Sequence, residues 1–202
     1  MNKEVEIESK FYVRNLPFFE NRLNSLGAVC TQPRVLETNL RFDFPDQSLS
    51  RERRVLRLRM DNRAILTFKG PAQPDQNVSV RQELEVEVSD FETTRHLLEA
   101  LGYEVAVMYE KYRTMYKLDV VDVVLDEMPY GTFIEIEGPD AASIQVAAAV
   151  MGLNWNARCG ESYLAIFYHF CNRRGLKIAN LSFQEFAGLT VSAEDLGVSP
   201  AN

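Results

Sequence analysis

The chain has 202 residues, 46% of them apolar and 25% charged, which is enough for one globular domain with a small appendage. A net charge of −7 argues against a dedicated nucleic-acid-binding protein, and no apolar run approaches the ~18 residues that a membrane span needs. The three cysteines are widely spaced, which argues against a disulfide framework, and two histidines are too few for a histidine-based site. The charged N-terminus argues against a signal peptide. We therefore expect a cytoplasmic protein without membrane or nucleic-acid partners.

The predicted elements alternate between strands with a period of two and helices bounded by capping residues. Asp90 is a candidate N-cap, and Gly27 and Gly102 are suitable helix ends. In chain order we predict a strand at 4–13, a helix at 15–28, a strand at 29–45, a hairpin at 55–60 and 64–69, a strand at 80–89, a helix at 90–102, a second hairpin at 103–119 and 121–129, a strand at 131–140, a helix at 141–153 and a mixed tail with a helical pattern at 161–174. This order indicates an α+β fold of about eight antiparallel strands, with helices on one face of a sheet large enough to close.

Nearly every predicted strand carries charges at alternate positions, starting with Glu6, Glu8 and Lys10 on one face of the first strand. One such strand would be an ordinary solvent-facing strand, because antiparallel sheets usually have one polar face. Repeated over six or seven strands with like charges grouped, the pattern needs another cause, since like charges opposed across strands are destabilising. The other charges in the pattern are Arg57, Arg59, Lys69, Arg81, Glu83, Glu85, Glu87, Lys111, Arg113, Asp122, Asp126, Glu135 and Glu137.

A closed barrel with the charged face inside would account for the pattern. Buried like charges are costly without counter-ions, so such an interior must bind something. Clustered glutamates suit a hard divalent cation, Mg²⁺ or Mn²⁺, whereas clustered arginines and lysines suit phosphate. Acids and bases in one cavity therefore imply a metal-bound polyphosphate.

The ordered motifs resemble those of the CYTH domain family, the triphosphate tunnel metalloenzymes. The ExExK signature is present in EIESK, and VLRLR, LTFKGP, RQELEVEV, EKYRTMY, VVLDEMPYGTFIEIEG and ESYLAIF follow in the expected order over about residues 3–170. The resemblance implies a closed eight-stranded antiparallel β-barrel, the triphosphate tunnel, with helices packed outside. We expect residues 1–172 to form this domain and 173–202 to form a tail. The tail would dock on the barrel, cap a tunnel mouth, contact a second subunit or fray at its end, so a homodimer is left open.

The resemblance also implies roles for the charged residues. Those expected to hold metal, two ions of Mg²⁺ or Mn²⁺, are Glu6, Glu8, Glu83, Glu85, Asp126, Glu135 and Glu137. Those expected to bind the substrate are Lys10, Arg57, Arg59, Lys69, Arg81, Lys111 and Arg113. Those expected to act in catalysis are Glu6, Glu8, Lys10, Arg57, Arg59, Lys69, Lys111 and Arg113. Because the Glu-x-Glu pattern of this chain runs one step longer than usual, Glu87 competes with Glu83 and Glu85.

Three functions fit these residues. The first is metal-dependent hydrolysis of inorganic tripolyphosphate or of an organic or nucleoside triphosphate. The second is a class IV-type adenylate cyclase, which converts ATP to cyclic AMP and pyrophosphate. The third is a polyphosphate- or nucleotide-binding module without turnover. Retention of every expected charged pair favours an enzyme, and we expect the hydrolase. Trp155, between Asn154 and Asn156, is either a platform for a nucleobase or, more simply, a packing residue.

Overall fold

The computed structural model describes residues 5–73 and 78–202, and in these residues eight long strands form an antiparallel sheet that closes on itself. Glu4 and part of the Pro-rich loop, residues 74–77, lie outside the described residues. The strands are β1 (Val5–Val13), β2 (Val29–Asp43), β3 (Val55–Met60), β4 (Ala64–Lys69), β5 (Ser79–Val88), β6 (Glu104–Leu118), β7 (Val121–Met128) and β8 (Gly131–Glu137). Around the ring they run β1, β5, β4, β3, β2, β6, β7, β8, and β8 pairs with β1. The predicted closed barrel is confirmed.

Helices flank the strands. They are α1 (Leu16–Ser25), α2 (Ser48–Arg51), α3 (Phe91–Ala100), α4 (Ala141–Met151), α5 (Tyr163–Arg174) and α6 (Ala193–Leu196), and a short strand, β9 (Arg158–Cys159), lies between α4 and α5. The side chains of Asp90 and Asp140 cap α3 and α4, and each accepts a hydrogen bond from a backbone N–H in the first turn. Among the described residues, no helix is long and apolar enough to cross a membrane.

The outward faces of the strands are apolar, as the alternation predicts, and most of their side chains pack under helices, whereas Leu84 and Val86 of β5 are exposed. Phe11, Ile134 and Ile136 are fully buried and share one cluster with Phe19 of α1 and Ile144 of α4. On another side of the barrel, Leu98 of α3 covers Leu40, Phe42 and Leu58. Burial of this apolar surface at about 25 cal/mol per Å² is the main force that holds the helices outside the barrel. The opposite face of each strand is thereby directed inward.

Towards one end of the barrel the inward face becomes apolar and is covered by the C-terminal part of the chain. Tyr12 and Phe133 continue the faces that carry Lys10 and Glu135, and they pack with Phe167 of α5. Leu164, Phe170, Leu181, Phe186 and Leu196 belong to the same cluster. The C-terminal segment therefore fills the inner face at this end of the barrel.

Backbone hydrogen bonds attach the tail to the barrel. The N–H of Leu181 donates to the carbonyl of Met108 at 3.0 Å, and the carbonyl of Leu181 accepts from the N–H of Glu110 at 2.9 Å. Near the chain end, the N–H of Ala201 donates to the carbonyl of Tyr12 at 2.9 Å. The tail thus docks on the barrel at both of its ends. The division into a domain at 1–172 and a tail at 173–202 stays a prediction.

Among the described residues, the structure adds four short elements that periodicity does not reveal: α2, a 3₁₀ turn at Trp155–Ala157, β9 and α6. The helix α2 forms within the polar connection at 46–54, where the carboxylate of Asp43 accepts the backbone N–H groups of Leu49 and Ser50 at 2.9 and 3.0 Å. The 3₁₀ turn, β9 and α6 contain three, two and four residues, respectively. Elements of this length depend on capping and on neighbouring strands rather than on a repeated apolar pattern.

Replacement of Leu181 by alanine should destabilise the protein, because this side chain is fully buried at the junction of the tail and β6. Loss of a buried leucine costs about 2–5 kcal/mol, or roughly 5–15 °C in Tm for a domain of this size. Leu189→Ala is the matched control, since Leu189 lies in the same tail but is 39% exposed. Equal Tm values for the two variants, measured by thermal unfolding, would show that the tail does not contribute to the barrel's stability.

Candidate functional site

The barrel encloses a cavity of about 710 Å³, and charged side chains line most of its wall. All of the predicted site residues line this cavity except Asp126, which is buried behind it. The predicted residues on the wall are Glu6, Glu8, Lys10, Arg57, Arg59, Lys69, Arg81, Glu83, Glu85, Lys111, Arg113, Glu135 and Glu137. They come from six strands of the barrel and meet because each occupies the inward face of its strand.

Three carboxylates, Glu6, Glu8 and Glu137, form what we call the carboxylate cluster. Glu8 of β1 is the direct partner of Glu137 of β8, and oxygens of all three side chains lie within 4.8 Å of one another. Burial, together with the charges of Glu6 and Glu8, raises the pKa of Glu137 to about 8. Burial and the neighbouring Glu135 and Glu6 also raise the pKa of Glu8. Hard oxygen ligands with this excess of negative charge fit a divalent cation such as Mg²⁺ or Mn²⁺.

Lys69 connects the carboxylate cluster to the acids of β5. Its Nζ atom lies 2.6 Å from Oε2 of Glu6 and 3.1 Å from Oε1 of Glu83. Burial opposes the charge of Lys69, but Glu6 and the other nearby acids raise its pKa. The lysine is therefore held as a cation beside the cluster, where it can bind a phosphate oxygen.

Asp126 is fully buried and sits at the centre of a second charged group. The guanidinium of Arg113 donates to its two oxygens at 2.8 and 2.6 Å, and the hydroxyl of Tyr163 donates at 2.8 Å. Lys111 adds a fourth donor at 3.1 Å. Despite burial, Arg113 and Lys111 hold the pKa of Asp126 far below its ordinary value. In this geometry Asp126 orients cations, and its predicted role in metal binding stays a prediction.

Glu37 of β2 is a site residue that sequence reasoning missed. It is fully buried, and its oxygens lie 3.5 Å from Lys111, 3.7 Å from Arg59 and 3.8 Å from Arg113. Burial would raise its pKa, but these three cations lower it. We call Glu37, Lys111, Arg113 and Asp126 the buried network. The signal was available in the alternation of polar side chains at 37, 39, 41 and 43.

Lys10 completes the basic side of the cavity. Its Nζ atom lies 3.3 Å from Oε1 of Glu135 and 4.0 Å from the ring centroid of Tyr163, a cation–π contact. It also donates to the backbone carbonyl of Glu161 at 3.3 Å. Glu135 in turn accepts from Arg113 at 2.7 Å, which joins Lys10 to the buried network.

The acids of β5 divide between the cavity and its outside. Glu85 lines the cavity and accepts from Thr67 at 2.7 Å and from Arg57 at 3.4 Å. Glu87 pairs instead with Arg63 at 3.2 Å, and both of these side chains are more than half exposed. The geometry therefore favours Glu83 and Glu85 over Glu87 as the acidic pair of the cavity.

Trp155 packs rather than presenting a free ring. Its ring lies 6.0 Å from that of Phe11, and the guanidinium of Arg158 covers it at 4.2 Å. Trp155 does not line the cavity that the described residues form. These contacts favour the packing role over the nucleobase platform.

Comparison with known proteins confirms the resemblance. The CYTH domain model matches residues 4–163. A Methanocaldococcus jannaschii protein named "Putative adenylate cyclase" is 27% identical over 135 residues, 66% of this chain and 76% of its own length. A structure of a Vibrio parahaemolyticus protein with the same kind of name gives a TM-score of 0.73 at 21% identity over 83% of this chain and 99% of its own. The structure of a Hippeastrum protein, described as having a dominant triphosphatase activity, gives a TM-score of 0.63 at 18% sequence identity. The match covers 86% of this chain and 97% of the Hippeastrum chain. At these identities the two structures show a shared fold.

Glu137→Gln should stabilise the metal-free protein at high pH. A folded-state pKa near 8, above the ordinary 4.5, means that wild-type stability falls as pH rises between these values. The glutamine variant lacks this loss. At pH values above 8 its Tm should therefore exceed that of wild type by several degrees, and below pH 4.5 the difference should vanish.

Thermal unfolding in EDTA would measure this difference, with Glu104→Gln as a control at an exposed strand position. Addition of Mg²⁺ should then stabilise wild type more than the Glu137 variant. Identical Tm values for wild type and Glu137→Gln above pH 8 would contradict carboxylate repulsion in the cluster.

Proposed function

Because the chain belongs to the CYTH domain family, we propose that it hydrolyses a triphosphate inside the barrel with the help of Mg²⁺ or Mn²⁺, of which we expect two ions. One observation carries the proposal: a carboxylate cluster suited to a divalent cation and a set of lysines and arginines suited to phosphate line the same cavity. Neither the carboxylate cluster nor the set of basic side chains would by itself indicate a metal-bound triphosphate. The substrate would be inorganic tripolyphosphate or an organic or nucleoside triphosphate.

The proposed metal ligands are the carboxylate cluster, assisted by Glu83, Glu85 and Glu135 on the adjoining walls. When bound, divalent cations neutralise phosphate charge and lower the pKa of a coordinated water, which supplies a nucleophile for attack on phosphorus. The carboxylates of this chain would hold those cations in the cavity that the basic side chains also line.

The basic side chains would bind and orient the phosphate oxygens. Lys10, Lys69 and Arg113 each carry a carboxylate partner within 3.3 Å, so their positions are set before substrate arrives. Arg57 and Arg59 would add forked donors from β3. Charges that are already in place stabilise the transferring phosphoryl group without reorganisation, and this is the main contribution that a protein makes to phosphoryl transfer.

The covered end of the barrel would support this chemistry. Tyr163 seals the inner wall beside Lys10 and Lys111, and the apolar cluster of α5 lies behind it. Water is thereby excluded from one side of the basic residues, which strengthens their interaction with phosphate.

The second candidate is an adenylate cyclase, which the name of the Methanocaldococcus jannaschii relative favours. The same basic wall would hold ATP while the ribose 3′-OH attacks the α-phosphate. This reaction needs a surface for adenine. Among the described residues, the aromatic side chains that line the cavity are Tyr109 and Tyr163, and Lys10 occupies a face of Tyr163. The arrangement therefore supports the hydrolase first.

The proposals on location and assembly rest on the sequence alone. We propose that the protein works in the cytoplasm on a small-molecule substrate, without nucleic-acid or membrane partners. A homodimer remains an alternative to a monomer.

Glu6→Gln should lower turnover by at least roughly 100-fold, because it removes a ligand of the cation that the reaction requires. Phosphate release would be measured with tripolyphosphate, ATP and thiamine triphosphate in the presence of Mg²⁺ or Mn²⁺, with product identification. Glu104→Gln, at an exposed strand position outside the cavity, should keep wild-type activity.

Two outcomes would reject the hydrolase. Cyclic AMP and pyrophosphate as the products of ATP would establish the cyclase instead. Absence of any product, with thermal stabilisation by tripolyphosphate retained, would show a binding module without turnover.

Glu83→Gln should reduce activity roughly tenfold or more, since Glu83 positions Lys69 and Arg57 at the cavity wall. Glu87→Gln should leave activity near wild type, because Glu87 pairs with Arg63 at an exposed position. Initial rates of phosphate release from tripolyphosphate would compare the two variants. A larger loss of activity in the Glu87 variant would show that Glu85 and Glu87, rather than Glu83 and Glu85, form the acidic pair of the cavity.

A further inference from the structure

Arg41 of β2 lines the cavity but has no role in the site described so far. Among the arginines and lysines that line the cavity, it alone makes neither an ion pair within 4.0 Å nor a hydrogen bond with a described residue. Its Nε atom is buried without a partner. The side chain as a whole is only partly exposed, and a cation in such a position is costly unless an anion binds to it.

The charge of Asp43 favours the charged form of Arg41 but does not offset its burial, and no ion pair within 4.0 Å joins these two described residues. Asp43, two residues along the same strand, accepts hydrogen bonds from three backbone N–H groups, those of Phe44, Leu49 and Ser50, and from the hydroxyl of Ser50. Its oxygens are therefore occupied in holding α2. Across the strand pair, the direct partner of Arg41 is another cation, Arg57. Like charges opposed in this way are destabilising.

The electrostatics agree with this geometry. Burial lowers the pKa of Arg41 and the charge of Arg57 lowers it further, and neighbouring Tyr109, Tyr168 and Asp43 do not offset the two effects. By contrast, acids and Tyr109 raise the pKa of Arg57 in spite of burial. Arg41 is thus a cation whose charge the protein has left unbalanced.

The barrel topology places this pair across from the carboxylate cluster. Strand β2 lies four strands from β1 in either direction around the ring, and β3 lies four strands from β8. The Glu8–Glu137 pair and the Arg41–Arg57 pair therefore occupy opposite walls. A substrate with one end at the metal ligands would direct its other end towards the arginines.

We propose that Arg41, with Arg57 and the hydroxyl of Tyr109, forms an anion subsite that binds an unesterified phosphate at the end of the substrate farthest from the carboxylate cluster. This inference rests on the proposed triphosphate binding. A free terminal phosphate carries more negative charge than a phosphate esterified to a nucleoside, and the planar guanidinium binds two of its oxygens at once. A nucleoside triphosphate bound with its terminal phosphate at the carboxylate cluster directs its esterified α-phosphate to the subsite, so in this orientation the subsite selects inorganic tripolyphosphate over nucleoside triphosphates.

Isothermal titration calorimetry with tripolyphosphate and with ATP, each with Mg²⁺ and with EDTA, tests the subsite without requiring turnover. Arg41→Gln should weaken tripolyphosphate binding roughly 10- to 100-fold, the value of lost hydrogen bonds to a charged group. The loss of affinity for ATP in the same variant should be at least several-fold smaller than the loss for tripolyphosphate. Arg41→Lys keeps the positive charge but loses the planar guanidinium, so its tripolyphosphate affinity should lie between those of wild type and Arg41→Gln. Arg14→Met, at an exposed position after β1, is the matched control and should bind as wild type does.

The same variants separate a binding role from a structural one. Arg41→Gln removes an unbalanced, partly buried charge, so the Tm of this variant without ligand should equal or exceed that of wild type. Tripolyphosphate affinity within twofold of wild type, or equal losses for tripolyphosphate and ATP, would overturn the subsite. If wild type binds tripolyphosphate but does not hydrolyse it, the proposed function fails while the calorimetry still decides on Arg41. If Arg41→Gln does not fold, Arg41→Lys carries the comparison, and unchanged affinity in that variant would overturn the bidentate contact.

Discussion

The buried network is the constraint on which the rest of the site depends. Glu37 and Asp126 are fully buried acids that together hold Lys111 and Arg113 in the interior of the barrel. Removal of one partner would leave an uncompensated buried charge, which is strongly destabilising. Because every member has at least two charged contacts, the side chains are fixed before any ligand enters. The barrel thereby tolerates a charged interior, and the cations that face the cavity gain defined positions.

The carboxylate cluster and the arginine pair are left outside this compensation. Glu8 opposes Glu137 across one strand pair, and Arg41 opposes Arg57 across another. Each pair is unfavourable by itself, since neighbouring strands bring like charges close together. The ion pair of Lys69 with Glu6 reduces the repulsion among the carboxylates only in part, and that of Glu83 with Arg57 does the same for the arginine pair. The fold thus balances its charge fully at the centre and incompletely on two opposite walls, and a cation at one wall and an anion at the other would complete it.

The sequence predicted most of this site because the barrel obeys a simple rule. Strict alternation places Glu6, Glu8 and Lys10 on one face, and closure of the sheet turns that face inward. Glu37 and Arg41 escaped detection because β2 mixes acid, amide and base at alternate positions, so no pair of like charges marks it. Docking of the tail was one of several expectations, and the sequence did not show where it docks, because its backbone bonds to β6 and β1 join residues far apart in the chain. No periodic pattern encodes such contacts.

Closure of one end of the barrel gives the cavity a direction that the strand pattern alone does not specify. The inner faces change from charged to apolar between Lys10 and Tyr12 on β1 and between Glu135 and Phe133 on β8. Where α5 covers the apolar side, Tyr163 contacts Lys10 and binds Asp126, so the covering helix also positions the basic residues. The C-terminal segment therefore belongs to the architecture of the site: the helix that excludes water from one side is the helix that fixes the charges on the other.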